Sequence, residues 1–471
     1  MKPMNRAPRP LIGHALVLAV AAAGVSPALA QDSDGFKVAP TGFISFTGVA
    51  RSTNVGTGPS SGANSNGFGT NFGAIPYDNT VQGNTSETRF SAADTRLGLK
   101  ATTNIGGVDL RGLVETDFLG SDAPNVYVSG NSHILRLRLA YLNTFAGNWE
   151  ILAGQAWSWM TPNRRGLSAD PADVFTTLNV DPNMQVGLTW TRAAQFRIAH
   201  HPGKSFAWGI ALESPDQYVG VGEVIFPFAF NAQLGGQFDA GNNPSAPNRY
   251  PDVLGKIAWD PEIGGRLFHM ELVGLYRTFQ VSTADLTAGA DFTKKSANGG
   301  GIALNLNLEL FKDFRLIANA FASNGGGRYI AGLGPDLVVK PDATATTLSL
   351  SPVKSQSYLG GLEWGIGASN VIAAYYGVVR FDENSFIDTT SPLPNRTAGF
   401  GGNNSPNSAN QELSEVSADW AHTFYSQPGK GGVQGILQVS HASRHPFFVV
   451  TGAPDKAQVN MVFYSLRYLL P

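Results

Sequence analysis

The final strand-like segment, 460–470, restricts the possible folds more than any other feature of the chain. Side chains of a strand point to opposite faces at period two, and here one face carries Ser465 and Arg467. The other face is apolar and aromatic, with Val462, Tyr464, Leu466, Tyr468 and Leu470. Such a ribbon would promote aggregation in water, but it suits a strand whose outer face contacts lipid. The segment therefore predicts a membrane-spanning strand at the end of the chain.

The beginning of the chain has the features of an export signal. Three basic residues precede an apolar run at 11–25, and an A-x-A motif ends at Ala30. This order is typical of a signal peptide that is cleaved after the motif. We therefore predict a signal peptide at 1–30 and a single barrel domain at 31–471.

Composition excludes several classes of function. Without the three basic residues of the predicted signal peptide, 30 basic residues stand against 35 acidic ones, a net charge of −5. This mild acidity argues against nucleic acid as a partner. The chain has no cysteine, so it can form no disulfide and has no thiolate chemistry. Beyond the predicted signal peptide no run of about 18 apolar residues occurs, so the sequence predicts no transmembrane helix.

Short turns divide the chain at regular intervals, and each lies between two segments of alternating polarity. The seven turns are at 104–107, 146–148, 202–204, 261–265, 312–313, 368–370 and 427–432. Seven turns join fourteen strands, and one further strand at each end of the series makes sixteen. We predict an all-β, sixteen-stranded antiparallel transmembrane barrel with short periplasmic turns, long outer loops and an open lumen. A soluble β-sandwich is the alternative.

Eight longer segments, rich in Gly, Asn, Ser and Pro, are predicted to be the outer loops. They are 52–87, 119–132, 158–185, 214–249, 279–297, 323–355, 382–411 and 443–456. The third contains Arg164 and Arg165, and we predict that it folds into the barrel as a constriction. The alternative is a surface loop with a solvated arginine pair.

Basic residues alternate with leucines on the predicted strands. Arg136 and Arg138 share one face, and they must point into the lumen because a charge facing mid-bilayer lipid costs about 2–4 kcal/mol. Arg192 and Arg197 differ in parity, which predicts a bulge at 193–195. The full set of predicted constriction residues is Arg96, Lys100, Arg111, Arg136, Arg138, Arg164, Arg165, Arg192 and Arg197.

Two interpretations of these cations remain open from the sequence. A wall of lumenal arginines would attract anions and bind carboxylates through paired hydrogen bonds. Alternatively, the arginines pair with Glu115, Asp117 and neighbouring acids and only stiffen the wall.

The apparent catalytic and metal-binding motifs lack the structural context that such motifs require. The G-x-S-x-G spelling at 58–62 lies in a Gly/Ser/Asn stretch without the strand-to-helix turn that gives this motif its meaning. His200 and His201 are adjacent, so on a strand they point to opposite faces and cannot share a metal. We therefore predict a non-enzymatic protein without a cofactor or metal.

The chain resembles the DcaP-like porins of the Gram-negative outer membrane, most clearly between 91 and 197. The resemblance rests on the order and spacing of the segments 96–99, 115–120, 136–141, 154–158 and 191–197. It implies a trimeric, sixteen-stranded barrel for passive uptake of dicarboxylates and aromatic acids through an arginine-lined constriction. At the matching positions that role would fall on Arg96, Arg136, Arg138, Arg192 and Arg197, with Arg164 and Arg165 from the inward loop.

One departure concerns the end of the chain. Outer-membrane barrels usually end on an aromatic residue, but here Leu470 and Pro471 stand in its place. Tyr464 and Tyr468 keep the rest of the signal that the barrel assembly machinery reads, so we expect insertion.

The sequence thus predicts an outer-membrane porin for passive diffusion of small anionic solutes, in contact with outer-membrane lipid and assembled as a homotrimer. The alternatives within membrane barrels are a general or cation- or sugar-preferring porin, and a closed structural or adhesive barrel. A barrel lipase is a further class, for which no convincing Ser–His pair is present.

Overall fold

The computed structural model describes residues 35–55, 69–120, 134–169, 177–179, 184–241, 246–284, 286 and 292–471. The predicted signal peptide, the motif at 58–62 and most of the second predicted loop lie outside these residues. Among the residues described, no helix is both long enough and apolar enough to span a bilayer.

Sixteen antiparallel strands form one continuous sheet, as the turn count predicts. They are β1 Lys37–Arg51, β2 Arg96–Ile105, β3 Val108–Asp117, β4 Arg136–Ala146, β5 Trp149–Trp157, β6 Arg192–His200, β7 Phe206–Glu213, β8 Asp252–Trp259, β9 Arg266–Ala284, β10 Phe292–Phe311, β11 Phe314–Asn324, β12 Lys354–Ile366, β13 Asn370–Phe381, β14 Asn410–Gln427, β15 Gly431–Pro446 and β16 Ala457–Leu469.

The first and last strands close the barrel. Phe43–Arg51 of β1 pairs antiparallel with Met461–Leu469 of β16. The other edge of β1 pairs with β2 at one end and with a short strand, Glu87–Ser91, at the other. Because closure leaves no free edge, every strand has its backbone partners on both sides, as a membrane interior demands. The predicted sixteen-stranded barrel is confirmed.

The outer face of the barrel is apolar. On β16, Tyr464 and Leu466 are 38% and 52% exposed, whereas Ser465 and Arg467 on the inner face are only 3% and 7% exposed. Exposed aliphatic side chains continue this pattern around the barrel, including Leu97, Ile210, Ile257, Leu304, Leu362 and Val416. Exposed tryptophans lie near the short turns, at Trp149, Trp208, Trp259, Trp364 and Trp420. An apolar band with an aromatic girdle is the surface that a bilayer solvates.

All seven predicted short turns join neighbouring strands on one side of the barrel. On the opposite side one prediction is wrong. The segment 279–297 is mostly strand, because β9 and β10 pair as far as Ala284 and Phe292. Phe279, Val281 and Thr283 are buried on the inner face and alternate with polar residues on the outer face. Above the lipid the outer face needs no apolar side chains, so this part of the hairpin has the composition of a loop.

The apolar core lies inside the barrel, where several outer loops fold inward. The third predicted loop contributes Trp159, Met160 and Leu167, and all three are buried. The predicted inward fold of this loop is therefore confirmed. The fourth and sixth loops also enter the lumen, which the sequence did not predict, with Phe230, Phe238, Tyr329, Ile330 and Leu337 buried in the same cluster.

A single arginine substitution can test whether the apolar band faces lipid. Leu304→Arg on the outer face of β10 should lower the free energy of unfolding by about 2–4 kcal/mol, the cost of an arginine at mid-bilayer. Leu393→Arg, at an exposed site in the seventh outer loop, should change it by about 0.5 kcal/mol or less. Urea titration of protein refolded into lipid vesicles measures both. Equal costs at the two sites would mean that Leu304 does not face lipid.

Candidate constriction and its charged lining

The third loop, which follows β5, crosses the lumen and bonds to several strands of the wall. Its backbone N–H groups donate to wall carboxylates: Trp159 N to Glu213 Oε1 at 3.1 Å, Asn163 N to Glu271 Oε1 at 3.1 Å and Gly166 N to Asp260 Oδ2 at 3.0 Å. Buried N–H groups need acceptors, and here acids of the barrel supply them.

The returning part of the same loop is fixed in the same way. Leu178 N donates to Gln438 Oε1 on β15 at 2.5 Å, and Val186 N donates to Glu415 Oε2 on β14 at 3.1 Å. Thr189 N donates to Asn319 Oδ1 on β11 at 3.2 Å. The loop therefore touches the wall from β7 to β15 and narrows the lumen.

A buried cluster of charges holds the tip of the loop. Lys256 Nζ lies 2.9 Å from Glu271 Oε1 and donates to Asn163 Oδ1 at 2.8 Å. His269 lies between two carboxylates, with Nδ1 2.7 Å from Asp260 and Nε2 2.9 Å from Glu271. All four wall side chains are nearly inaccessible, and the two basic groups lie within 2.9 Å of the two carboxylates. The sequence analysis missed them, although Lys256, His269 and Glu271 each alternate with apolar or small residues on a strand, which is the signal that would have found them.

The arginines predicted on β2 and β4 meet two acids of β3. Arg138 is fully buried, with Nε 2.8 Å from Glu115 and Nη1 2.9 Å from Asp117. Arg136 pairs with both oxygens of Asp117, at 3.0 and 2.6 Å, and its side chain remains 28% exposed. Arg96 is buried, and its Nε lies 3.6 Å from Glu115. Arg96 and Arg138 therefore stiffen the wall, whereas part of Arg136 remains in contact with solvent.

Arg197 is sealed beneath the third loop. It is 1% exposed, lies 3.6 Å from Glu150 and stacks on the ring of Trp159 at 5.4 Å. Arg192 begins β6 and lies over two indole rings, those of Trp157 and Trp190.

The predicted bulge at 193–195 is absent. The register of β6 with β5 runs unbroken along the whole strand, and its register with β7 is also regular. The parity difference arises because Arg192 takes the outward parity at the strand end, while Arg197 points inward.

The tip of the third loop carries the predicted arginine pair. Both terminal nitrogens of Arg164 bond to Glu363 on β12, at 2.9 and 2.8 Å, and the side chain is 35% exposed. Glu363 is oriented in turn by the hydroxyl of Tyr375 at 2.9 Å. Arg165 is exposed and forms no ion pair with any residue that the structure describes.

The two remaining predicted cations lie where the loop returns towards β3 and β4. Lys100 is half-buried and Arg111 is exposed, and both line a small cavity with Ser168 and Ala169. Arg111 stacks on the ring of Phe145 at 4.6 Å. Of the nine predicted cations, three are sealed and six keep some exposed surface. Among the described residues, no cluster of side chains is suited to hold a metal ion.

A second buried network fixes the fourth and sixth loops at the outer mouth. Arg277 of β9 is fully buried, 3.2 Å from Asp252 and 2.8 Å from Asp336. Asp216 of the fourth loop lies nearby, and its pKa is raised to about 7. Burial is the main cause and Asp336 adds to it, whereas Arg328 opposes the shift. This carboxyl therefore titrates near neutral pH.

A comparison with solved structures supports this fold through a match with a TM-score above 0.5. The outer membrane channel DcaP of Acinetobacter baumannii matches with a TM-score of 0.61 and 16% identity, over 93% of this chain and 98% of that chain. An anion-selective porin from Comamonas acidovorans has a TM-score of 0.49 at 10% identity, over 92% and 100% of the two chains. OprB of Pseudomonas putida has a TM-score of 0.47 at 11% identity, over 93% and 94%. The resemblance to DcaP is confirmed at the level of the fold. No protein-family model and no curated protein matches the chain.

Substitution of a sealed arginine should destabilise the protein more than substitution of an exposed one. Arg138→Met should lower the free energy of unfolding by about 3 kcal/mol, because it removes a buried partner of two carboxylates that each keep one other arginine. Arg165→Gln should change it by about 0.5 kcal/mol or less. Chemical unfolding in lipid measures both. A small loss for Arg138→Met would show that solvent reaches this cluster.

The raised pKa of Asp216 predicts that the free energy of unfolding depends on pH. The folded protein retains a proton that the unfolded chain, with its ordinary pKa of 3.8, releases, so stability falls as pH rises from about 4 to about 7. Asp216→Asn cannot ionise, and it should be more stable than wild type at pH 8 but similar at pH 4. Thermal unfolding across this range is the measurement, with Asp382→Asn as an exposed control. A constant difference between wild type and variant would contradict the assignment.

Proposed function

We propose that this chain is an outer-membrane porin that lets small anionic solutes, dicarboxylates and aromatic carboxylates among them, diffuse passively. The apolar belt supports residence in a bilayer, and the closed barrel and predicted export signal support the outer membrane. We further propose a homotrimer, removal of residues 1–30 and insertion through recognition of the C-terminal strand. None of these steps requires catalysis.

The observation that carries the proposal is the position of Arg165. The third loop places this exposed guanidinium at its tip, beside Arg164, which Glu363 holds in place. Water in a narrow passage screens charge less than bulk water, so a fixed cation there raises the local concentration of anions. A guanidinium also offers two parallel donors to a carboxylate.

The sealed arginines are assigned a different role. Arg96, Arg138 and Arg197 are buried against acids and present almost no surface to a solute. Arg192 takes the outward parity at its strand end, so we assign anion preference to the other five exposed or part-exposed cations of the predicted set, namely Lys100, Arg111, Arg136, Arg164 and Arg165.

Two observations favour competing functions. Glu363, Glu415 and Asp419 face the lumen from β12 and β14, and such acids would favour cations if they governed the passage. The inward third, fourth and sixth loops fill much of the lumen, as a closed structural barrel would require.

The deciding experiment is the reversal potential of the purified protein in a planar bilayer under a salt gradient. We expect anion selectivity. Arg165→Gln should lower the anion-to-cation permeability ratio by about two- to fivefold, since one nearby charge contributes about 1 kcal/mol in water. Lys312→Gln, in an exposed short turn outside the constriction, is the matched control and should leave the ratio unchanged.

Each other outcome points elsewhere. Cation selectivity would mean that the wall acids govern the pore. Insertion without conductance would establish a closed barrel. An unchanged ratio in Arg165→Gln would refute the role given to the loop tip.

A further inference from the structure

A cavity of about 650 Å³ lies at the outer mouth, where the first, third, fourth, sixth and seventh loops meet. Its volume is in the range of sites for small molecules. Two of its lining residues, Glu223 and Arg444, carry acidic and basic groups, and the others are aromatic, aliphatic, small or polar without a charge. The cavity is separate from the tip of the third loop, because none of its lining residues belongs to 158–169.

Glu223, on the fourth loop, is a buried acid without a cation. Its residue is 7% exposed, and its Oε2 is buried without a hydrogen-bond partner. It takes part in no ion pair among the residues described, and Tyr218 is the titratable group that faces it. A buried carboxyl without a partner is costly, so an occupant of the cavity that donates to it would gain that free energy.

Arg444, at the outer end of β15, is a buried cation without an acid. It is 4% exposed, and Nε donates to the backbone oxygen of Ile75 at 2.6 Å. Nη1 donates to the backbone oxygen of Asn407 and to Asn410 Oδ1. These acceptors carry no charge, and the guanidinium also lies over the ring of Tyr77, 4.8 Å from its centroid. The guanidinium is thus oriented but not neutralised within the described structure.

We propose that the cavity binds a zwitterionic solute of the α-amino-acid type, whose ammonium contacts Glu223 and whose carboxylate contacts Arg444. The cavity brings one buried carboxyl and one buried guanidinium to the same surface, and neither has a partner of opposite charge among the residues described, so a molecule that carries an ammonium and a carboxylate complements it. Charge-assisted hydrogen bonds at both ends would fix its orientation.

The remaining lining favours a solute with an apolar side chain. Phe72, Trp190, Val221 and Leu333 contribute apolar surface to the same cavity. Such surface lets an aromatic or branched side chain of the solute leave water, while its ammonium and carboxylate contact Glu223 and Arg444.

Binding should depend on pH. Burial raises the pKa of Glu223 well above its ordinary value, because an apolar environment disfavours the ionised form. An ammonium favours the ionised form, so affinity for a zwitterion should rise with pH. A ligand without an ammonium lacks this dependence. This binding site is distinct from the proposed anion selectivity, and its occupancy can be measured without a transport assay.

The test is isothermal titration calorimetry on the full-length protein in detergent, with L-phenylalanine as the probe. Its analogues 3-phenylpropanoate and 2-phenylethylamine lack the ammonium and the carboxylate, respectively. We expect each analogue to bind at least about tenfold more weakly than L-phenylalanine. Glu223→Gln should weaken L-phenylalanine by a similar factor, remove the rise in affinity between about pH 5.5 and about pH 8, and leave 3-phenylpropanoate unaffected.

The matched control is Glu383→Gln, the same change at an exposed site in the seventh loop, which should leave binding unchanged. Far-UV circular dichroism checks that both variants keep the barrel. Absence of L-phenylalanine binding to wild type would overturn the proposal. Equal affinity for L-phenylalanine and 3-phenylpropanoate, or a Glu223→Gln variant that binds as wild type does, would also overturn it. Anion selectivity in a bilayer would survive each of these results.

Discussion

The backbone N–H groups of the third loop need acceptors once the loop lies inside the barrel, and the arrangement of the lumen follows from that need. Glu213, Asp260, Glu271 and Glu415 supply these acceptors from the wall. Carboxylates placed there are themselves buried, so some need basic partners, and Lys256 and His269 provide these near the loop tip. Much of the lumenal charge therefore fixes the loop and is neutral as a group.

This division separates two populations of cations that look alike in the sequence. Arg138 and Arg197 lie within hydrogen-bonded clusters, where their charge is matched and inaccessible. Arg165, on the same inward third loop, remains exposed and forms no ion pair with a residue that the structure describes. Proximity to the lumen is thus not sufficient to give a residue influence over a solute. A residue must also retain a surface that the solute can reach.

The sequence predicts the barrel because alternation and turns are local signals. Strand number, the closing strand and the inward third loop are all confirmed. At 279–297 the sequence predicts a loop where the structure has the extended hairpin of β9 and β10, because the outer face of the hairpin is polar above the lipid. The prediction of a bulge at 193–195 is wrong, because parity alone cannot distinguish a bulge from a strand end. Partners such as Glu363 for Arg164 lie far apart along the chain, and no local pattern encodes which acid meets which cation.

The anchors of the third loop also constrain the order in which the molecule can assemble. Leu178 bonds to a residue 260 positions later, and Val186 to one 229 positions later. These contacts cannot form until β14 and β15 are in place, near the very end of the chain. Long-range contacts of this kind slow folding, because the ends of a long segment must meet before any contact is gained. We therefore expect a segment encoded in the first half of the protein to be among the last to become ordered.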